Sequence, residues 1–231
     1  MYIAFEGIDG CGKTTLAREV NKIFPKFEII KEPGGTDLGE KIRSLLLTNK
    51  KISVCSKAEL FLFLADRAQL ISEKIRPYNN IISDRSFIST IAYQSMNAMC
   101  SINTLWIMIE YALEIPNNNL FCIVPNIIFF IDLDIETCMF RIKNKSKDKI
   151  ELRGKEYLET VRYTFSRLSK KDEMLLPHPQ SKIGREIAAS DFHILDGRLP
   201  VNKLLKIIKP IIEAKLKLEI KKSPEKLGFI E

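Results

Sequence analysis

Residues 2–14 read Tyr-Ile-Ala-Phe-Glu-Gly-Ile-Asp-Gly-Cys-Gly-Lys-Thr, and this stretch decides the fold. Its first five residues suit a buried strand, and glycines then recur up to a Lys-Thr pair. Glycine permits the backbone conformations that point successive N–H groups at a phosphate. In such a pattern Lys13 reaches the β- and γ-phosphates of a nucleotide, and the Thr14 hydroxyl ligates Mg²⁺. The stretch therefore predicts a strand followed by a phosphate-binding loop.

A helix is expected directly after this loop. Apolar residues recur at Leu16, Val20, Ile23 and Phe24, which is the spacing of one helix face. The positive end of the helix dipole then points at the loop and favours an anion there. A glycine-rich turn without a ligand would not require a strand before it and a helix after it.

The bulk properties exclude several classes of protein. With 231 residues and 45% hydrophobic composition, the chain can bury a full core, which predicts one domain over residues 1–231. The sequence contains no run of 18 apolar residues, which a membrane span would need, and its N-terminus does not resemble a secretion signal. We therefore expect a cytoplasmic protein. Five widely spaced cysteines argue against a disulfide framework and a zinc site.

The net charge of +7 could suggest a nucleic-acid partner, but its distribution argues against one. Residues 203–231 hold eight Lys and four Glu, so this segment alone carries +4. Its lysines alternate with apolar residues, as on the solvated edge of an amphipathic helix, and no aromatic side chains interleave to stack on bases. We therefore expect no nucleic-acid partner.

Strand-like runs alternate with helical patterns along the chain. This alternation predicts an α/β fold whose parallel sheet is covered on both faces, with ligands at the carboxyl ends of the strands. The predicted strands are 2–6, 27–31, 80–83, 127–132 and 192–195. The predicted helices are 13–24, 37–47, 56–76, 87–97, 103–115, 135–143 and 155–170. Residues 170–190 read as a loop or short insertion, and residues 201–231 as a C-terminal helix and tail.

A strand ending in Asp84-Arg85 is the second segment with chemical information. Asp84 can hold the hydration shell of Mg²⁺, and Arg85 can clamp an oxyanion. A row of hydroxyl groups follows on one helical face, at Ser86, Ser89, Thr90 and Tyr93. An ordinary salt bridge at a strand end is the competing interpretation.

A third segment places Phe63 and Arg67 one helical turn apart. An aromatic ring beside a guanidinium can stack on a base and hydrogen-bond its carbonyl groups. Phe63 could equally be a core residue. Arg67 is harder to explain that way, because a charged residue is seldom fully buried without a partner.

Taken together, these segments resemble the thymidylate kinases. The resemblance runs from Met1 to about Phe165 and covers four motifs in order: Phe-Glu-Gly-Ile-Asp-Gly-Cys-Gly-Lys-Thr-Thr at 5–15, Glu-Pro-Gly-Gly-Thr at 32–36, Ala-Asp-Arg-Ala-Gln at 65–69, and Asp-Arg-Ser with Ser89 and Ala-Tyr-Gln at 84–94. It implies a three-layer α/β sandwich of the P-loop NTPase type, with a five-stranded parallel sheet flanked by helices and a mobile basic lid. The implied reaction is Mg²⁺-dependent transfer of the γ-phosphoryl group of ATP to dTMP, giving dTDP and ADP for dTTP synthesis.

The resemblance also implies roles for individual residues. Asp9 would meet the deoxyribose 3′-hydroxyl, while Arg43 and Arg85 would hold the acceptor phosphate. Phe63 would stack on thymine, Arg67 would bond its O4, Thr90 would reach the base edge, and Tyr93 would lie under the sugar. Ser89 and Gln94 complete the implied dTMP site. The implied ATP contacts are Gly7, Ile8, Asp9, Gly10, Cys11, Gly12, Lys13, Thr14, Thr15 and, at the adenine, Arg141 with the turn at 196–198.

The lid is expected over about 141–153. Gly10 stands where some family members carry a basic residue in the loop, so the chain resembles the group that places this charge in the lid. Lysines at 143, 145, 147 and 149 occupy positions where that group usually has arginines. Together with Lys13 and Arg85, Lys145 and Lys149 are the predicted catalytic residues, acting jointly. A solvated charged loop is the competing interpretation of any one of these lysines.

Three alternatives remain open at this point. The chain could act on dUMP, dCMP or thymidine, although Phe63, Arg67 and Thr90 favour a thymine-like base. It could be a GTP-binding switch, but the Asp-x-x-Gly signature is missing after the strand at 127–132. It could be a nucleic-acid binder without catalytic activity, which rests on net charge alone. A homodimer is implied by the family, and residues 60–71 and 102–113 are apolar enough to form its interface or, equally, part of the core.

Overall fold

The computed structural model describes residues 1–75, 80–96, 100–115, 118–144 and 148–222. Its strands are β1 (Tyr2–Glu6), β2 (Glu28–Lys31), β3 (Ile81–Asp84), β4 (Glu114–Ile115), β5 (Asn118–Cys122), β6 (Ile127–Asp132) and β7 (Asp191–Asp196). Five of them form a parallel sheet in the order β2-β3-β1-β6-β7. Strands β4 and β5 pair separately as an antiparallel hairpin.

Helices connect the strands of the parallel sheet. They are α1 (Lys13–Ile23), α2 (Asp37–Arg43), α3 (Ser56–Glu73), α4 (Phe87–Gln94), α5 (Ile102–Leu113), α6 (Ile135–Ile142), α7 (Lys155–Ser169), α8 (Lys182–Ala189) and α9 (Val201–Lys222). A π-helical turn, Ser44–Thr48, continues α2, and a 3-10 turn, Glu151–Arg153, precedes α7. Within the described ranges, no helix combines the length and the apolar character needed to cross a lipid bilayer.

The core lies on both faces of the central strands. Every residue of β1 is buried, which requires cover above and below the sheet because successive side chains point to opposite faces. Helix α1 packs on β1 and against α9, while α7 packs on β6 and against α4. The rings of Phe5 and Phe129 stack with centroids 5.4 Å apart across the β1–β6 pair. The predicted α/β fold with a five-stranded parallel sheet is confirmed.

The predicted strands 2–6 and 127–132 are confirmed at both ends, and the other three differ by single residues at their ends. The loop predicted at 170–190 is wrong in its second half, which forms α8. Ser181 caps this helix by accepting a hydrogen bond from the Gly184 N–H, and Ile183 and Ile187 are buried one turn apart. The β4–β5 hairpin was not predicted.

The strand order brings the two chemically informative segments together. Strand β1 lies between β3 and β6, and Phe5 is paired with Asp84. The Arg85 N–H donates to the carbonyl oxygen of Phe5 at 3.0 Å. The loop after β1 and the Asp84-Arg85 end of β3 therefore meet at the carboxyl edge of the sheet, where ligands bind in folds of this type.

Candidate active site

The loop between β1 and α1 has the backbone that the glycine spacing predicts. Gly7, Gly10 and Gly12 have positive φ values of 140°, 86° and 111°. No side chain caps the start of α1 at Gly12, so no capping group claims the N–H groups of the first turn. The Lys13 ammonium folds back over the loop and donates to the carbonyl oxygen of Ile8 at 2.9 Å. This arrangement places a cation and a helix N-terminus around a space suited to phosphate.

Thr14 and Asp84 meet at this same edge, where the Thr14 hydroxyl donates to the Asp84 carboxylate. Hydroxyl and carboxylate oxygens are the ligand type that Mg²⁺ prefers. The two residues come from segments 70 positions apart and are joined by the parallel pairing of β1 and β3. The donor set therefore fits the magnesium ion that the loop motif implies.

Arg85 is the hub that joins the phosphate loop to the acceptor side. It adopts φ +83°, an unusual value for a residue other than glycine. Its guanidinium donates to the Gly7 carbonyl (3.0 Å), Ser89 Oγ (3.0 Å), Asp9 Oδ1 (2.8 Å) and the Tyr93 hydroxyl (3.1 Å). Burial would raise the pKa of Asp9, but the charges of Arg85 and Lys13 lower it to about 2.

A buried carboxylate anchors this hub. Glu6 is fully buried and accepts hydrogen bonds from the Ser86 N–H and hydroxyl, both at 2.7 Å, and from the Ser89 hydroxyl at 2.6 Å. Burial raises the pKa of Glu6, and the bonds from Ser89 and Ser86 oppose that shift. Because Ser89 also accepts from Arg85, the chain Glu6–Ser89–Arg85 fixes the guanidinium from behind.

Arg67 is a buried arginine, and its partner explains how it tolerates burial. Its guanidinium forms an ion pair with Glu32, with Nε and Nη2 at 2.8 and 2.6 Å from Oε2. Its Nη1 donates to the Thr90 hydroxyl at 2.7 Å. Glu32 also accepts from the Tyr2 hydroxyl at 3.3 Å. Arg67 is thereby held rigidly one turn after Phe63, which is half-buried.

One cavity collects all nine residues predicted to bind the acceptor. They are Asp9, Arg43, Phe63, Arg67, Arg85, Ser89, Thr90, Tyr93 and Gln94. Arg43 Nη1 donates to the Pro33 carbonyl at 2.8 Å, which fixes the guanidinium group at the cavity wall. An aromatic ring, three guanidinium groups and a row of hydroxyl groups thus line one space beside the phosphate loop.

The cavity also has lining residues that were not among the predicted acceptor contacts. They are Glu32, Pro33, Leu47, Asp66, Ser86, Asp148 and Ile150. Glu32 and Pro33 lie in the Glu-Pro-Gly-Gly-Thr stretch. The sequence therefore marked this segment as part of the family resemblance, but it did not indicate which residues of the segment line the cavity. Asp66 and Asp148 are adjacent to predicted residues, and their sequence positions carry no separate signal. Their contributions depend on how α3 and the lid pack.

The two arginines near the lid point in different directions. Arg141 donates to the carbonyl oxygens of Cys11 (3.4 Å) and Gly197 (3.2 Å), so it bridges the phosphate loop and the turn after β7. Arg153 instead forms an ion pair with Glu59 of α3 on the acceptor side. Arg141 thus lies beside the phosphate loop, and its contact with ATP stays a prediction.

The predicted lid lysines are only partly described. Lys145 and Lys147 lie outside the described residues. The Lys149 ammonium donates to the carbonyl oxygens of Leu45 (2.9 Å) and Ile52 (2.7 Å), on either side of the end of the π-helical turn. Lys149 therefore docks the lid on the segment that follows Arg43. A role for it at the phosphates stays a prediction.

The fold and the cavity together define a class: a P-loop phosphotransferase whose acceptor site is built to hold a base and a phosphate. A family model described as thymidylate kinase matches residues 5–184. Thymidylate kinases of Thermosipho africanus and Fervidobacterium nodosum are 36% and 39% identical to the chain. These alignments cover 94% and 75% of this chain and 99% and 87% of the respective relatives. The chain belongs to the thymidylate kinase family.

Solved structures agree on the fold. A thymidylate kinase structure from Candida albicans superposes with a TM-score of 0.65 at 24% identity and covers 92% of this chain and 91% of its own. One from Ehrlichia chaffeensis gives a TM-score of 0.60 at 26% identity, with 91% and 97% covered. The predicted P-loop NTPase-type architecture is therefore confirmed.

Proposed function

We propose that this chain transfers the γ-phosphoryl group of ATP to dTMP, giving dTDP and ADP as a step in dTTP synthesis. The observation that carries this proposal is the cavity in which Phe63, Arg67 and Thr90 stand beside the Asp9–Arg85 pair of the phosphate loop. An aromatic plane and a fixed guanidinium suit a thymine ring and its O4. Family membership supports the same acceptor and donor.

Each polar group then has a task in substrate binding. Arg43 and Arg85 hold the acceptor phosphate, and Asp9 meets the 3′-hydroxyl of the sugar. Tyr93 lies under the sugar, with its hydroxyl held by Arg85 at 3.1 Å. Ser89, Thr90 and Gln94 complete the wall. The low pKa of Asp9, about 2, keeps it an acceptor of hydrogen bonds at neutral pH.

Catalysis requires positioning and charge neutralisation, because phosphoryl transfer passes through a loose transition state with charge spread over oxygen atoms. Lys13 and the loop N–H groups hold the donor phosphates, and Arg85 draws the acceptor phosphate toward them. Thr14 and the Asp84 carboxylate would hold Mg²⁺, which would supply further charge neutralisation at the donor phosphates. Lys145 and Lys149 complete the charge from the lid, and the closed lid excludes water.

A coupled assay of ADP release tests this proposal. We expect turnover only when an acceptor is present, with dTMP preferred over dUMP, dCMP, AMP and thymidine. Arg67→Ala should lower kcat/KM for dTMP by roughly a hundredfold, since it removes a hydrogen-bonded cation and leaves Glu32 buried without its ion-pair partner. Arg162→Ala is the matched control, because Arg162 pairs with Asp132 in a partly exposed position. ADP release that ignores the acceptor, or a preference for another acceptor, would overturn the assignment.

We further propose a cytoplasmic homodimer that binds neither nucleic acid nor membrane. The helices expected at its interface, α3 and α5, pack together and expose Phe61, Ile107 and Tyr111. Large apolar side chains that remain exposed on adjacent helices favour association with a second surface.

A further inference from the structure

A chain of polar side chains, exposed at Arg153 and buried at Glu59 and Gln94, connects the turn before α7 to the acceptor cavity. Glu59, in the first turn of α3, is buried with 5% of its surface exposed. One carboxylate oxygen accepts from the Arg153 guanidinium, at the end of the 3-10 turn that closes the predicted lid segment. The other accepts from the Gln94 amide nitrogen at 3.2 Å. The Glu59 carboxylate thus joins Arg153, which lies 94 positions away in the sequence, to Gln94, which lies 35 positions away.

A second branch leaves the same guanidinium. Arg153 Nη1 donates to the Tyr157 hydroxyl at 3.1 Å, and its guanidinium carbon lies 5.2 Å from the centre of the Tyr157 ring. The Tyr157 hydroxyl donates in turn to the Tyr93 backbone carbonyl at 2.7 Å. Arg153 therefore reaches two consecutive residues of α4, Tyr93 and Gln94, by two separate routes.

The chemistry of these groups fixes the direction of the Gln94 amide. An ionised carboxylate accepts hydrogen bonds only, and a guanidinium donates only. Glu59, paired with Arg153, therefore selects the nitrogen of Gln94 and turns the amide oxygen away from itself. Gln94 lines the acceptor cavity, so the orientation determines whether a ligand there meets an acceptor or a donor.

We infer that Arg153 is a positioning residue for the acceptor. It acts through Glu59 on the Gln94 amide and through Tyr157 on the Tyr93 backbone, and it ties the C-terminal end of the lid to both. This inference rests on the proposed function, since it deepens the description of the dTMP site.

Lys149, four residues before Arg153, makes its contacts on a different wall of the cavity. Lys149 is held by the carbonyl groups of Leu45 and Ile52, which belong to the wall that follows Arg43. Arg153, four residues later, is held by α3 on the base side of the cavity. Residues 149–153 are therefore attached at both ends to segments that line or support the acceptor cavity, and of these two attachments only the one at Arg153 leads to Tyr93 and Gln94.

Steady-state kinetics of Arg153→Ala test this inference. We expect KM for dTMP to rise roughly tenfold, as for the loss of a charge-assisted hydrogen-bond network, while KM for ATP stays within about twofold. Arg153→Lys should recover part of the loss, because lysine keeps the charge but not the two-pronged geometry. Glu59→Gln should also raise KM for dTMP, since a glutamine at 59 no longer selects one orientation of Gln94.

Two comparisons separate positioning from a general folding defect. The double variant Arg153→Ala/Glu59→Gln should be less impaired than the product of the single effects, because the two residues act as one unit. Tyr157→Phe removes one branch without removing a charge, and should raise KM for dTMP by about threefold. It provides the test if Arg153→Ala does not fold. Arg162→Ala again serves as the control.

The outcomes show whether the positioning role of Arg153 fails or the proposed dTMP kinase activity itself fails. A wild-type chain without dTMP-dependent ADP release overturns the proposed function. If the wild type depends on dTMP, the inference fails when Arg153→Ala or, if that variant does not fold, Tyr157→Phe leaves KM for dTMP unchanged. It also fails if KM for dTMP and for ATP rise equally, since that result reports a damaged lid rather than a positioned acceptor.

Discussion

Asp66 lies in the wall of the acceptor cavity, and its side-chain pKa is raised to near neutral pH. Its Oδ1 accepts from the Gly34 N–H at 2.9 Å. Burial, and then the neighbouring charge of Glu32, raise its pKa from 3.8 to about 7, against the opposing influence of the Gly34 N–H and the charge of Arg67. At neutral pH this side chain therefore sits near its titration midpoint.

Replacing Asp66 with Asn should change how stability depends on pH. The folded-state pKa, about 7, lies above the unfolded value near 3.8, so the folded state holds the proton between them. The stabilisation from this group is complete below about pH 4 and is lost as pH rises through 7. Relative to Asp66→Asn, the wild type should therefore lose stability from pH 5 to pH 8, with an upper limit of about 4 kcal/mol for the whole shift.

Urea unfolding of both proteins at several pH values measures this difference, and Asp172→Asn provides the control. The hydrogen bond from Arg167 lowers the pKa of Asp172 below its usual value, so that group does not titrate between pH 5 and 8. Parallel profiles for Asp66→Asn and the wild type over this range would contradict the prediction.

Among the elements, the phosphate loop is constrained by its contact with α6. Gly10 has φ +86°, and a Cβ there would overlap the carbonyl group of Cys138, with the carbonyl carbon 2.9 Å away. Gly12 has φ +111°, but a Cβ there would meet no atom within 4 Å. A larger side chain at position 10 therefore has no room in this chain, which favours the prediction that the basic charge comes from outside the loop.

A matched pair of variants tests this packing. Gly10→Ala should destabilise the protein by about 2–5 kcal/mol, because a positive φ costs roughly 1–2 and backbone overlap about 1–3 more. Gly12→Ala should cost only the first amount. Unfolding free energies measured without nucleotide isolate the loop from its ligand. Equal losses for the two variants would show that α6 does not constrain Gly10.

Strands β1 and β6 and helix α8 show which elements the sequence could predict and which it could not. Strands β1 and β6 are continuous apolar runs in the sheet interior, so composition alone located their ends. Helix α8 was hidden because it has eight residues and follows Pro177-His178-Pro179, which is typical of a loop. Its signals were Ser181 at the cap and the buried pair four residues apart, Ile183 and Ile187.

The acceptor site was predictable as a set of residues but not as a network. Arg67 stood out because an arginine in an apolar helix needs a partner, yet that partner, Glu32, lies 35 positions earlier. Glu59 and Arg153 are 94 positions apart, and neither lies in a motif that joins them. Pairings of this kind depend on which helices pack together, and one sequence carries no periodic signal for them.

For the molecule as a whole, the acceptor cavity and the expected dimer surface share a helix. On α3, Phe63 and Arg67 face the cavity, whereas Phe61 is 58% exposed. On the adjacent α5, Ile107 and Tyr111 are 71% and 81% exposed and lie four residues apart on one face. Association through these helices would restrain the cavity wall from its outer side, so assembly and acceptor binding would be linked.

The double variant Ile107→Glu/Tyr111→Glu should therefore separate the subunits. We expect the wild type to sediment at twice the chain mass of 26.6 kDa and the variant at the chain mass, because two carboxylates cannot be buried unpaired in an apolar interface. Tyr163→Glu, on α7 with 63% exposure, is the control and should leave the mass unchanged. The monomeric variant should also show a higher KM for dTMP, since α3 loses its outer support. A wild type that sediments as one chain, or a double variant that stays dimeric, would exclude this surface as the interface.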